Sequence, residues 1–171
     1  MEDVRVSLSS TNQIEDVFFS IMLSIILGNW QDFEALCKKM KDLKPSQEIL
    51  DDFGTKQMKI IAATGAKKII AMREKLTILG VSQKALDCGY NSGFQELCTD
   101  TKNLNLSQKM LNDFGKRQMK IATITGSYTI ISIYKKLIEI GVSEEAIMKG
   151  YEMGYQIFKP QFQNVPILKK T

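Results

Sequence analysis

One stretch of this chain repeats another. Ser46–Gln95 aligns with Ser107–Gln156 without a gap at an offset of 61 residues, and 24 of the 50 paired positions are identical. SQEILDDFGTKQMKIIAATG answers SQKMLNDFGKRQMKIATITG, and EKLTILGVSQKALDCGYNSGFQ answers KKLIEIGVSEEAIMKGYEMGYQ. A weaker match runs upstream, setting Phe33–Ser46 against Phe94–Ser107. Self-similarity at a fixed period marks a repeat architecture, in which each unit buries its apolar face against a neighbour. The expected organisation is an N-terminal helical hairpin with a partial repeat over residues 1–45, then repeat units over 46–106 and 107–158. An irregular tail holding Pro160 and Pro166 closes the chain over 159–171, and the whole reads as one cooperative domain.

Each unit reads as helices. Ser46 and Ser107 are N-cap candidates, because a serine hydroxyl takes an orphan N–H of the first turn. Behind Ser46, the stripe Ile49, Leu50, Phe53, Ile60, Ile61 and Thr64 has amphipathic helical spacing. Met110, Leu111, Phe114, Ile121, Ala122 and Thr125 follow Ser107 in the same way. Gly54 and Gly115 interrupt these stripes at a cost of about 1 kcal/mol each against alanine. Either the helix breaks there or a neighbour packs close. Gly65 and Gly126 end the first helix of each unit, Gly80 and Gly141 the second, and Ser82 and Ser143 cap a third. That third helix carries Ala85-xxx-Gly89-xxx-Gly93 in one unit and Ala146-xxx-Gly150-xxx-Gly154 in the other. Four-residue spacing puts these small residues on one face, where a second helix can approach. Tyr90, Phe94, Tyr151 and Tyr155 are expected to fill the adjoining groove.

Upstream, Asn12 and Glu15 resemble a capping pair opening an apolar helix that Gly28 closes. Trp30–Leu43 reads as a further helix with Phe33, Leu36, Cys37 and Met40 on one side, broken by Pro45. No alternating apolar run lies between Asn-Gly or Asp-Gly turns, so strands are not expected. The predicted fold is all-α, a helical-hairpin repeat array of seven or eight helices, either a short α-solenoid or a compact bundle.

Composition narrows the function. There is no histidine, which removes Ser-His-Asp and Cys-His chemistry and imidazole metal sites. Cys37, Cys88 and Cys98 form no CxxC pair and read as buried free thiols in a reducing compartment. Neither a metal nor a cofactor is expected. Asp51 and Asp52 are adjacent on a helix, so they point about 100° apart and do not converge on one bond. The glycines match neither GxxxxGK[ST] nor GxGxxG after a strand. MEDVR lacks the basic start of a signal peptide, and the longest apolar run, Val17–Leu27, is too short to span a bilayer. A cytoplasmic protein without a membrane span is therefore expected.

The net charge of +4 arises from 20 lysines and three arginines against 19 acids. Part of the basic excess recurs at the 61-residue period: Lys56, Lys59, Lys116, Arg117 and Lys120 form the candidate partner-binding set. Their alternative is a solvated helix face, since Asp51, Asp52 and Asp113 dilute them. The polar residues kept in both units (Gln57 and Gln118, Thr64 and Thr125, Gln95 and Gln156) are expected to hydrogen-bond between units. The methionines, Met58, Met119, Met148 and Met153 among them, read as core fillers.

IAATG…II…L…LG is similar to the helix pair of ankyrin repeats, yet the interval from Gly65 to Gly80 is longer and no TPLH segment is present. QMKIIAATG…LGVS is similar to the repeats of TAL-effector-like DNA-binding proteins, without their base-reading loop and at another period. EKLTILGVSQKAL and KKLIEIGVSEEAI are similar to mitochondrial terminator-like repeats. The shared grammar of leucine, glycine stop and serine cap suits all three and identifies none. The reading that remains is a non-enzymatic helical-repeat interaction module for a protein partner. The alternatives are a nucleic-acid-binding repeat using the lysine rows, and a helical enzyme or small-ligand carrier with an interhelical pocket. Self-association is expected if apolar end faces stay uncovered, with Val17–Leu27 as the candidate cap or contact surface.

Overall fold

The computed structural model describes residues 2–65, 68–125 and 130–158. Among the described residues there are eight α-helices and no strand: α1 (Glu2–Leu27), α2 (Trp30–Leu43), α3 (Gln47–Ala63), α4 (Lys68–Leu79), α5 (Gln83–Asn103), α6 (Gln108–Ile124), α7 (Ile130–Glu139) and α8 (Glu144–Phe158). None of these helices is long and apolar enough to cross a membrane. The tail with Pro160 and Pro166, and Gly126, lie outside the described residues.

The helix ends follow local chemistry. The hydroxyls of Ser46, Ser82 and Ser107 accept from the amides of Ile49, Ala85 and Met110, each at 3.3 Å, and Ser143 serves Ala146 likewise. Gly28, Gly65, Gly80 and Gly141 all have positive φ, the left-handed turn that closes a helix. Two other residues share that conformation, Lys44 and Asn105, both at φ 47° and 61 positions apart. Each stands two residues ahead of a capping serine. At the N-terminus the expected cap is displaced. Asn12 and Glu15 lie inside α1, which already runs from Glu2; an Asx/Glu pair three apart caps only where helical hydrogen bonding begins. Asn29 is a cap the sequence reading passed over, and its side chain accepts from the Asp32 amide at 3.3 Å.

The most extensive pairings are α3 with α5 and α6 with α8. Small residues set both. A Cβ on Gly89 would collide with the Thr55 carbonyl, and one on Gly93 with the Lys59 carbonyl. In the later pair, Gly150 meets the Lys116 carbonyl and Gly154 the Lys120 carbonyl. Gly54 and Gly115 leave their helices unbroken and instead receive Val81 and Val142. This close contact rotates α3 away from its expected stripe. The buried face is Phe53, Gly54, Met58 and Ala62, while Ile49 and Ile60 are 41% and 60% exposed. Met110 is exposed as well. Counting large apolar residues gave weight to isoleucines, but glycine and alanine on the partner helix define the seam. Tyr90 and Phe94 are fully buried beside it. Met58 and Met119 fill the core completely, whereas Met153 is 41% exposed and fills none of it.

Polar contacts also pair positions 61 apart. The Gln47 amide donates to the Gly80 carbonyl at 2.9 Å, and Gln108 to Gly141 at 2.9 Å. Asp51 accepts from the Ser82 amide and hydroxyl, each at 2.7 Å, and Asn112 accepts from the Ser143 amide at 2.9 Å. The difference between Asp51 and Asn112 is thus immaterial to the shared task, which needs one acceptor oxygen. Of the polar residues expected to bond between units, Gln118 does so, reaching the Gly65 carbonyl at 3.4 Å. Thr64 and Thr125 bond back to Ile61 and Ala122 within their own helices, and Gln95 and Gln156 are exposed.

Two outcomes follow. Gly93→Ala adds a methyl against backbone, so thermal or urea unfolding should show a net loss of roughly 1–3 kcal/mol despite the helix-propensity gain of about 1 kcal/mol; the exposed Gln95→Ala should be neutral. Burial raises the Asp51 pKa, but the hydrogen bonds from Ser82 and Gln47 outweigh it and hold the carboxyl below its ordinary value. Its stabilisation is complete above the unfolded carboxylate pKa and fades as pH falls through the lowered folded one. Asp51→Asn should therefore fold well at neutral pH and lose less stability than the wild type on acidification, read from unfolding midpoints across that range.

Candidate functional site

Where α5, α6 and α8 meet the end of α3 and the start of α4, a cleft of about 910 Å³ lies half open to solvent. Its floor is apolar: Ile70, Leu97, Leu104, Phe114, Ile121 and Ile124 belong to it. Asp113, Lys116, Arg117 and Lys120 line its α6 side, and Met153 and Ile157 its α8 side. On α3 the position matching Phe114 is covered. Phe18 of α1 stacks on Phe53 with ring centres 4.0 Å apart and planes 10° apart, and Phe53 is buried. Phe114, 61 positions on, stays half-buried and faces the cleft.

The five candidate basic residues do not share this cleft. Lys56 pairs with Asp52 at 2.6 Å along one turn of α3, and Lys59 pairs with Glu96 of α5 at 2.6 Å. Neither lines the cleft. Lys116 pairs with Asp113 at 3.1 Å, and that hydrogen bond, ahead of the charges of Lys109 and Arg117, holds the Asp113 carboxyl below its usual range. Arg117 and Lys120 have no carboxylate within ion-pair distance among the described residues.

The difference comes from three substitutions at matched positions. Residues 51, 52, 55, 56, 59 and 96 are Asp, Asp, Thr, Lys, Lys and Glu, with a net charge of −1. Residues 112, 113, 116, 117, 120 and 157 are Asn, Asp, Lys, Arg, Lys and Ile, with a net charge of +2. Asn112 removes an acid, Lys116 adds a cation, and Ile157 replaces the glutamate that would have neutralised Lys120. Ile157 enlarges the apolar wall, and the other two differences raise the positive charge near it. Sequence comparison shows the differences but not that residues 116 and 157, on different helices, face one cleft.

Beneath the cleft wall, the Gln118 side chain is buried; its Nε2 donates to Gly65 while Oε1 has no protein partner. Another polar group escaped the sequence reading. Arg73, inside an apolar stretch of α4, pairs with Asp87 of α5 at 2.7 Å, with the two side chains only 7% and 14% exposed. The available signal was one arginine among lysines on a helix whose neighbours are Ile and Met. Positions 134 and 148 are Tyr and Met, so the ion pair belongs to one segment only; Tyr134 instead donates to Glu144 at 3.2 Å. The pair does not line the α5–α6–α8 cleft and reads as a structural clasp between α4 and α5.

The three thiols are free, but only two are buried as expected. Burial raises the Cys37 pKa and pushes Cys98 up to about 12, so both are held as inert thiols. Cys88 is exposed, on the outer side of α5, because it precedes Gly89 and so turns away from the α3 contact. No family model, no curated protein and no solved structure matches this chain.

Removing one member of the buried pair strands a charge. Arg73→Met should destabilise by roughly 3–5 kcal/mol, while the Arg73→Met/Asp87→Leu double variant should recover most of that loss. Denaturant unfolding of the three proteins checks both.

Proposed function

We propose that the chain is a non-enzymatic helical-repeat interaction module, built on a 61-residue duplication, that binds a protein partner in the cleft between α5, α6 and α8. The observation that carries this is the pairing of an apolar floor with Arg117 and Lys120, which have no carboxylate within ion-pair distance among the described residues, where at the matched positions Phe18 covers Phe53, and Lys56 and Lys59 pair with Asp52 and Glu96. Two copies of one fold supply the same scaffold. The exchanges at 112, 116 and 157 act on the surface and leave the seam intact. Exposed apolar groups next to unpaired cations are a costly arrangement for an idle surface and a common one for a recognition surface.

Nucleic-acid binding is the weaker reading. A phosphate track needs several free cations along a polar groove, whereas Lys56 and Lys59 are engaged and the cleft floor is aliphatic. A small-ligand site is also weaker, because such pockets enclose most of their ligand and this cleft is half open. The free thiols suit a reducing compartment.

A photo-crosslinking amino acid at Met110, on the cleft, compared with one at Glu74, on an exposed face of α4, tests the reading in the host cell. Protein adducts at Met110 that are absent at Glu74 are expected. Adducts lost to nuclease would move the assignment to nucleic acid. Equal or absent adducts at the two positions would remove the cleft as the site.

A further inference from the structure

α1 carries two apolar faces. Ile14, Val17, Phe18, Ile21 and Ser24 are buried, and they centre on one side of the helix at 100° per residue. The opposite side holds Phe19, Leu23, Ile26 and Leu27, which are 59%, 40%, 44% and 77% exposed. This outer row follows i, i+4, i+7 and i+8 spacing and runs about 12 Å along the helix. One turn before Phe19, on the same side, stand Glu15 and Asp16, both exposed. A shallow hollow beside the row is lined by Leu23, Leu27, Leu36 and Asp32. Residues 12–32 hold these three carboxylates and no lysine or arginine. Lys68 donates from its Nζ to the Ile26 carbonyl at 3.5 Å, at the far end of the row from Glu15 and Asp16.

Among the described residues, two apolar surfaces of opposite charge are thus left without a partner. One is an acidic ridge on α1; the other is the cationic cleft on α6 and α8. We infer that the protein associates head to tail, the outer face of α1 from one copy seating in the α5–α6–α8 cleft of the next. This rests on the reading of the cleft as a protein-binding site and names its occupant. Three features select a second copy. The charges are complementary, with Glu15, Asp16 and Asp32 facing Lys116, Arg117 and Lys120. The occupant's form is also given: a helix, α1, already covers Phe53 with Phe18, as Phe19 or Leu23 would cover Phe114. Finally, α1 is held within its own copy by α2 and α4, so its outer face is presented outward. Two different surfaces meeting make a heterologous contact, which propagates into open chains unless the rotation closes a ring.

The test uses the full chain and two surface variants. Phe19→Glu/Leu23→Glu disables the ridge and keeps the cleft; Lys116→Glu/Lys120→Glu disables the cleft and keeps the ridge. Circular dichroism confirms that each is folded, and Phe19→Ser/Leu23→Ser replaces the first if its charges disturb α1. Sedimentation of the wild type should show mass rising with concentration beyond a dimer. The association should weaken about tenfold when salt goes from about 0.1 M to about 1 M, which shortens the screening length from about 10 Å to about 3 Å. Each variant alone should be monomeric, and an equimolar mixture should give a species of two chains and no larger. A monomeric wild type at every concentration overturns the inference, as does a variant that still associates alone or a mixture that stays monomeric. A monomeric wild type together with a foreign protein crosslinked at Met110 would leave the cleft assignment standing and remove only this occupant.

Discussion

The contact on which the rest depends is backbone against helix surface. Gly89 and Gly93 bring α5 down onto the carbonyls of Thr55 and Lys59, and Gly150 and Gly154 do the same for α8 on α6. No side chain separates these helices, so their spacing is fixed by atoms that cannot change rotamer. With that distance set, Val81 and Val142 drop against Gly54 and Gly115, and the serines at 82 and 143 come within reach of Asp51 and Asn112. The loop from α4 to α5 is thereby tied to the first turns of α3, and the loop from α7 to α8 to those of α6. Packing, capping and loop closure are consequences of one missing Cβ repeated four times.

Much of this was legible from sequence. Helix boundaries at Leu43, Ser46 and Ser82 followed from proline and serine chemistry, and the all-helical class followed from spacing alone. Which face is buried was less legible. A stripe search weights Ile49 and Ile60 heavily and Gly54 and Ala62 hardly at all, yet contact area depends on how near a neighbour can come. The start of α1 was missed because a capping pair in mid-helix looks the same as one at its start. The candidate basic residues are recognisable as recurring, but the partner of Lys59 lies on another helix. Glu96 neutralises Lys59 from α5, and nothing local to Lys59 announces it. Arg73 was unread for the same reason: its meaning sits at Asp87, fourteen residues on, across a helix turn and a loop.

Recurrence and divergence carry separate kinds of information here. Positions kept at both places, such as Gln47 and Gln108 or Gly80 and Gly141, hold the scaffold. Positions that differ, such as Thr55 and Lys116 or Glu96 and Ile157, change the surface chemistry while leaving backbone geometry alone. Matched positions 61 apart therefore serve as a control, with the earlier segment showing what the later surface resembles when charges are paired and Phe53 is covered.

α5 runs unbroken from Gln83 to Asn103, although the matching upstream region is divided at Gly28 into α1 and α2. Its first half lies on α3 through Gly89 and Gly93, and its second half gives Leu97, Thr101 and Leu104 to the cleft shared with α6. One rigid rod is thus a wall of both neighbourhoods. No break in the helix lies between the α3 seam and the cleft, so the two segments share a single structural element.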